Sequence, residues 1–481
     1  MVNFVSSPLL AGAAVPLITG AGEVWHNMRH RKDRKRVSGA PTHAAAPPTQ
    51  HLCDLGHSGF RRQGRECITS LGAPDFRASS TMATQVTNAD VNSSGATHQP
   101  ELRVIEVDIH SDPRWEKFVD SHPDATIFHH PLWLQVLERE YDQRRITLAC
   151  EDAQGNLQAI LPLLFTRGLP LGIGGNIVGR RLSSLPRTPV AGPLALTAEA
   201  SAALLRAAIE IAEKTSKGTL QIKALGTPLD GPVDGLERRP WRISYAVALP
   251  EERRKLGAEE CFQKFGPCET CRVLRFGNCA NHRKVTWAVK KAREMDTSVT
   301  EAQSPTELRE WYEIYLETMR RNCVPPRPYR LFQAFWDLLR PRGYMRLLIA
   351  RQQTSDRIIG GSVLFTYKDR TFAGFAACRQ KDFPLHPNDL LHWVGIHDAC
   401  RQGCQTYDFG ETPSDAPDLA RFKRKWNCGE TQLWRYYYPL TETSDSGVDK
   451  PPFAKKVAAR LWGRLPLKGT AILGDWIYSY L

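Results

Sequence analysis

Three apolar runs in quick succession, Gly343–Ala350, Ile358–Tyr367 and Thr371–Cys378, constrain the fold of this chain more than any other feature. Each has strand length and strand composition, and the polar triplet Lys368, Asp369, Arg370 between the last two is a hairpin turn. Asn388–Gln402 then has the length and periodicity of a helix, stopped by Gly403, where a left-handed cap is expected. A strand at Thr406–Gly410, a helix at Pro417–Trp426 and a strand at Thr431–Tyr438 complete the block. Upstream, Ser304, Pro305 and Glu307 form a capping box with proline in the first turn. The helix they open carries Leu308, Trp311, Tyr312, Tyr315 and Met319 on one face. An antiparallel meander followed by a crossover helix and another strand is an α/β (α+β) pattern.

The chain has 481 residues, too many for one ordinary core. The block just described spans 251–430. A second block, 101–250, has the same outline of helix, hairpin, helix and strand. Its first helix follows Phe128–Pro131 and carries Leu132, Trp133, Val136, Leu137 and Tyr141. Strands at Arg145–Glu151 and Leu157–Thr166, a helix at Thr197–Lys214 and a strand at Gly218–Ala224 come next. The final strand, 431–440, is expected to complete this first domain. Residues 1–100 are rich in Ala, Ser, Gly, Pro and Thr without either structural period, and read as disordered or as an over-extended reading frame starting truly at Met82. Residues 441–481 read as a linker and an amphipathic tail.

Hydrophobic residues make up 42% and charged residues 24%, a globular balance, but the net charge of +13 favours an anionic partner: a phosphate-bearing substrate, tRNA or a lipid surface. Twelve cysteines without a secretory leader fit a reducing cytoplasm. No run reaches the roughly eighteen apolar residues of a membrane span. Cys261, Cys268, Cys271, Cys279 and His282 have the ligand types for zinc but not the spacing of a standard site, so no metal is expected. In the tail, Phe453, Val457, Leu461 and Trp462 share a face flanked by Lys455, Lys456, Arg460 and Arg464. That pattern suits either a helix at an anionic membrane surface or one packed on its own protein.

The stretch Gln405–Glu411, continuing through Leu419–Trp426 to Tyr436–Pro439, resembles the FemAB-like branch of the GNAT acetyltransferase superfamily. Arg283–Glu294, Pro387–Trp393 and Phe128–Leu134 agree with it. That branch includes peptidoglycan bridge aminoacyltransferases and relatives tied to exopolysaccharide or cellulose production. The resemblance implies two tandem GNAT-like domains around a shared cleft. It also implies a cytoplasmic N-acyltransferase acting on an amine of an anionic cell-envelope precursor. No bound cofactor is implied: the acyl donor, aminoacyl-tRNA or acyl-CoA, is a co-substrate, with tRNA a candidate partner. A tail on the inner membrane would meet a lipid-linked acceptor there. The Gln/Arg-x-x-Gly-x-Gly/Ala loop of CoA-dependent members has no clean copy, and Gly172–Gly175 lies between strands. A non-catalytic precursor-binding protein, a CoA-dependent N-acetyltransferase and an RNA-binding module remain alternatives.

Lys423 matches the lysine that family members set against the reacting carbonyl or a phosphate, although the surrounding charges read equally as a solvated helix face. Asp408, at a strand end, is a candidate base for the amine or else an acceptor of backbone donors. Arg327 and Tyr329 follow the helix where relatives bind phosphate, a task suited to a guanidinium. Lys290 and Lys291, on a basic amphipathic helix, are candidates for RNA or precursor contact, and Asn388 for substrate binding or an N-cap.

Overall fold

Strands from both halves of the chain join into one sheet in the computed structural model, which describes residues 102–141, 145–168, 181–215, 218–225, 233–250, 279–439 and 462–480. The first half supplies β1 (Arg103–Glu106), β2 (Arg145–Glu151), β3 (Leu157–Thr166), β4 (Arg181–Ser183), β5 (Leu194–Ala195), β6 (Leu220–Leu225) and β7 (Glu237–Ala248). The second supplies β8 (Thr297–Glu301), β9 (Met345–Gln352), β10 (Arg357–Tyr367), β11 (Arg370–Cys378), β12 (Thr406–Thr412) and β13 (Gly429–Tyr438). Their order is β1-β2-β3-β4-β6-β13-β7-β12-β11-β10-β9-β8, with β5 paired to β3. The expected meander is present: β9, β10 and β11 run antiparallel, and Lys368 turns the hairpin at φ +52°. β12 lies parallel to β11, which a helical crossover permits and a hairpin does not. β13 inserts between β6 and β7 and pairs antiparallel with both, so the sheet runs unbroken between the halves. The expected N-terminal extension lies outside the described residues, as do Cys261, Cys268, Cys271, Gly172–Gly175 and Phe453–Leu461.

The helices packed on this sheet include α1 (Arg114–Ser121), α2 (Pro131–Glu140), α3 (Ala198–Thr215), α4 (Cys279–Glu294), α5 (Pro305–Arg321), α6 (Tyr329–Ala334), α7 (Pro387–Arg401) and α8 (Pro417–Arg424). α2 starts where the sequence places it: Pro131 holds the first helical position and the His130 ring accepts the Leu132 N–H at 3.1 Å. At α5 the capping box is complete. Ser304 Oγ accepts the Glu307 N–H at 3.3 Å, and the Glu307 carboxylate accepts the Ser304 N–H at 3.1 Å. The predicted face of α5 is buried, with Trp311 fully enclosed.

Among the described residues, three apolar clusters hold the layers together. α3 covers the β2, β3 and β6 region through Leu204, Leu205 and Ala208. α4 and α7 cover β9 to β12 through Val285, Val289, Leu391 and Ile396. The largest joins α1, α2, α5 and α6 on residues of β9, β10 and β11, with Trp133 against Phe335 and Phe365, and Phe128 edge-on to Phe372. Because Phe128 and Trp133 come from the first half and the other rings from the second, this cluster fixes the two halves to each other.

The described part of the tail, α9 (Leu467–Tyr478), docks on the protein. Tyr141 donates its hydroxyl to Asp475 at 2.8 Å, Arg330 pairs with the same carboxylate, and Arg187 donates to the Tyr478 carbonyl at 3.1 Å. Ile472 and Trp476, on the other side, are exposed. No helix among the described residues is long and apolar enough to cross a membrane. Gly474 sits where a Cβ would come within 2.4 Å of the Pro326 carbonyl oxygen. Gly474→Val therefore prises α9 off, at a cost of about 1–3 kcal/mol. Proteolysis between residues 440 and 461 should then release an α9 fragment that the wild-type protein retains; equal retention would contradict this packing.

Candidate active site

Strand β12 carries the site. Its register against β7 shifts between Asp408 and Gly410, a bulge at which Gly410 takes φ +74°, a conformation that glycine adopts without strain. The bulge turns both polar groups of Gly410 towards side chains. Its N–H donates to Asp408 Oδ1 at 2.7 Å, and its carbonyl accepts from Lys423 Nζ at 2.9 Å. Lys423, on α8, also donates to the Glu411 carbonyl at 3.0 Å, and its ammonium lies 5.6 Å from the Tyr245 ring centre. The expectation of a solvated helix face is overturned: Lys423 is 3% exposed, because α8 turns it inward beneath Leu419 and Ala420.

Burial pushes the Lys423 ammonium down to about 8, against the attraction of Asp408 and Glu411 that keeps it charged. Asp408 moves the opposite way. Burial raises its carboxyl above the usual range, opposed chiefly by the Arg370 guanidinium 3.6 Å away. An acid pushed up and a base pushed down, meeting on one glycine, form the kind of pair that proton transfer near neutrality needs. Ser244 Oγ also donates to Asp408, at 3.4 Å.

A cavity of about 290 Å³ opens in front of Asp408 and Gly410, with Lys423 behind the Gly410 carbonyl rather than on the cavity wall. Asp408, Gly410, Arg370 and Ser244 line one side, and Thr126, Phe128, Pro189 and Val190 from the first half line the other. Arg370 and Ser244 are polar wall residues that sequence reasoning missed. Arg370 stands in what the sequence presents as a turn, and Ser244 lies on β7, a strand that no local pattern marks.

The other predicted residues are not brought to this cavity. Arg327 is 4% exposed and gives Nε and Nη2 to the two carboxylate oxygens of Glu140, at 2.9 and 2.7 Å. That bidentate edge, which would have gripped phosphate, is spent on a buried internal pair. Tyr329, at the start of α6, packs edge-on to Tyr312 with Arg309 over its ring. Asn388 is 4% exposed in the first turn of α7 and accepts the Cys378 thiol at 2.9 Å, so it faces the core rather than a substrate. Lys290 and Lys291 stand on the outer side of α4, both paired with Glu294. Among the described residues no group of three metal-ligating side chains comes together.

Residues 280–424, from α4 through α8, match the family model described as an acetyltransferase (GNAT) domain. No curated protein matches the chain by sequence. Among solved structures it is similar to that of FemX, at 16% identity and a TM-score of 0.50, over 72% of this chain and 100% of that one. It is also similar to L-PGS from Bacillus licheniformis, at 12% identity and a TM-score of 0.44, over 74% and 98% of the two chains. A tandem GNAT protein from the clavulanic acid biosynthesis pathway aligns at 12% identity and a TM-score of 0.41, over 71% and 100%. At 16% identity the likeness to FemX is one of fold. The chain is an acyltransferase that carries a GNAT domain over residues 280–424, with Asp408 and Lys423 inside that domain. Its α/β architecture is similar to that of FemX.

Proposed function

We propose that this protein transfers an acyl or aminoacyl group to an amine of an anionic cell-envelope precursor, at the cavity beside Asp408 and Lys423. The observation that carries the reading is the pair itself: a buried ammonium and a buried carboxylate held by opposite ends of Gly410, with Asp408 and Gly410 on the wall of a cavity lined by both halves and Lys423 directly behind it. The resemblance of Gln405–Glu411 and Leu419–Trp426 to the FemAB-like branch supplies the substrate class. The two halves act as two domains, 101–250 with 431–440 and 251–430, and the substrates meet between them.

In this reaction the amine nitrogen attacks the carbonyl carbon of the activated acyl group. The new C–N bond forms as the C–O bond to tRNA, or the C–S bond to CoA, breaks. Asp408, with its raised affinity for protons, accepts the proton lost by the amine, which then passes to the departing oxygen or sulfur. Lys423 offers a fixed positive charge to the oxyanion in between. No covalent enzyme intermediate is required, since positioning and charge suffice.

Lys423 must be protonated to do this, and its ammonium is held down to about 8. Transfer should therefore fall as pH rises through about 8 and stay low above it. A rate that keeps rising to pH 9.5 would remove Lys423 from the charge-stabilising role. A CoA-dependent N-acetyltransferase is the second reading, favoured by the match of residues 280–424 to an acetyltransferase model. Mass spectrometry of the acceptor separates the two: an aminoacyl increment requires charged tRNA, an acetyl increment requires acetyl-CoA.

A further inference from the structure

The central strands of the sheet alternate as half-buried strands should, yet both faces are buried. On β6, Ile222 and Ala224 point to α3, while Gln221 and Lys223 point the other way. On β13, Tyr436 packs in the same apolar cluster, whereas Leu433 and Arg435 take the opposite face. That opposite face is enclosed but polar: Ser183 is fully buried, Gln221 is 3% exposed, Lys223 1% and Arg435 5%. A solvated polar face needs no explanation; a buried one does.

Arg435 and Lys223 stand directly opposite each other across the β6–β13 ladder. Lys223 gives two N–H groups to the Leu185 and Thr188 carbonyls, at 2.8 and 3.0 Å. The Arg435 guanidinium carbon lies over Trp241, 3.4 Å from the ring centre, and its Nε and Nη2 have no hydrogen-bond partner among the described residues. These two nitrogens form the guanidinium edge that binds an oxyanion through two parallel hydrogen bonds. Glu411, the carboxylate whose charge acts on both cations, is already bonded to Arg242 at 2.9 Å and to the Trp241 indole at 3.1 Å. Arg181 and Arg242 crowd Arg435 further. Glu411 is thus engaged elsewhere, and the Nε and Nη2 edge of Arg435 is left as a buried pair of parallel donors of the kind that fits a phosphate.

We propose that Arg435 and Lys223 form the seat of a phosphate or diphosphate group of a ligand that extends into the acyl-transfer cavity. Position supports this. Leu433, two residues before Arg435 on the same face, lines the cavity, as do Pro189 and Val190, which directly follow the Thr188 carbonyl bound to Lys223. A substrate anchored by phosphate at Arg435 runs along this wall towards Asp408. Stacking on Trp241 holds the guanidinium plane in place before the ligand arrives. The inference deepens the acyl-transfer reading by giving the anionic substrate its anchor. It is tested by binding alone, so either can fail without the other.

The experiment is thermal unfolding of the full chain with pyrophosphate, uridine diphosphate or dihexanoyl phosphatidic acid, at constant ionic strength set by KCl. The wild-type protein should gain Tm with increasing pyrophosphate and with at least one organic phosphate. A stronger response to uridine diphosphate assigns a nucleotide source, and a stronger response to phosphatidic acid a lipid source. Arg435→Met, which keeps the bulk on Trp241 but removes the unpaired charge, should unfold at a higher temperature than wild type without ligand. It should also bind pyrophosphate at least tenfold more weakly, and Lys223→Met should weaken binding in the same direction. An Arg435 that is only structural would give the reverse: a lower ligand-free Tm and unchanged affinity. That result, or no response of the wild-type protein to any of the three phosphates, overturns the proposal.

Discussion

Lys423→Met should lower acyl transfer by about 10²–10³-fold, the usual effect of removing one preorganised charge from a developing oxyanion. The loss should fall on kcat and kcat/KM alike, because the ammonium meets full negative charge only in the transition state. Methionine fills nearly the same space beneath Leu419 and Ala420 but cannot donate to the Gly410 and Glu411 carbonyls. Leaving those acceptors without their buried donor costs about 1–3 kcal/mol of stability. Circular dichroism and urea unfolding should report a folded but weakened protein. Asp408→Asn offers the complementary test: it keeps an oxygen to accept the Gly410 N–H yet cannot take up a proton. If Lys423→Met kept wild-type turnover, the lysine would be no more than a clip on the β12 bulge.

Glu140→Ala should cost about 3–5 kcal/mol in urea unfolding, the largest stability effect expected of any single substitution considered. Glu140 is 1% exposed and accepts both hydrogen bonds from Arg327, while the Arg187 guanidinium approaches the same carboxylate at 3.5 Å. Removing it strands the Arg327 guanidinium, which is 4% exposed, and takes a carboxylate away from Arg187. These groups also sit at the seam of the fold. Glu140 ends α2 of the first half, Arg327 precedes α6 of the second, and Arg187 holds the end of α9. Replacing both members, Glu140→Met with Arg327→Met, should recover part of the loss, since an absent charge costs less than an unpaired one. A single substitution worth less than about 1 kcal/mol would mean that water reaches the pair and screens it.

The second half of the fold was legible because each element carried its own punctuation. The Ser304–Glu307 box, the turn at Lys368 and the stop at Gly403 mark ends by local chemistry, independent of what packs around them. β7 was not legible. Its Glu237–Ala248 sequence places charged residues and Pro240 in what proves to be an interior strand, where proline fits only because the register slips beside it at Gln432/Trp434. Nothing local announces such a bulge.

The site divides in the same way. Lys423 and Asp408 were put forward through the motif that contains them, but spacing could not say that a bulge at Gly410 would join them. Arg327 was misjudged because its partner, Glu140, is far away in sequence and was read only as part of a helix face. Arg435 escaped notice altogether. In Thr431–Tyr438 an arginine at every-other-residue spacing looks like the wet side of a strand, and only the fold encloses it.

The most direct test of acyl transfer at this cavity is mass spectrometry of an amine-bearing envelope precursor, incubated with the full chain and either charged tRNA or acetyl-CoA. The account predicts an increment on the acceptor amine with one of these donors, lost in Lys423→Met while that variant remains folded. An increment that persists in the variant, or no increment with either donor, would contradict it.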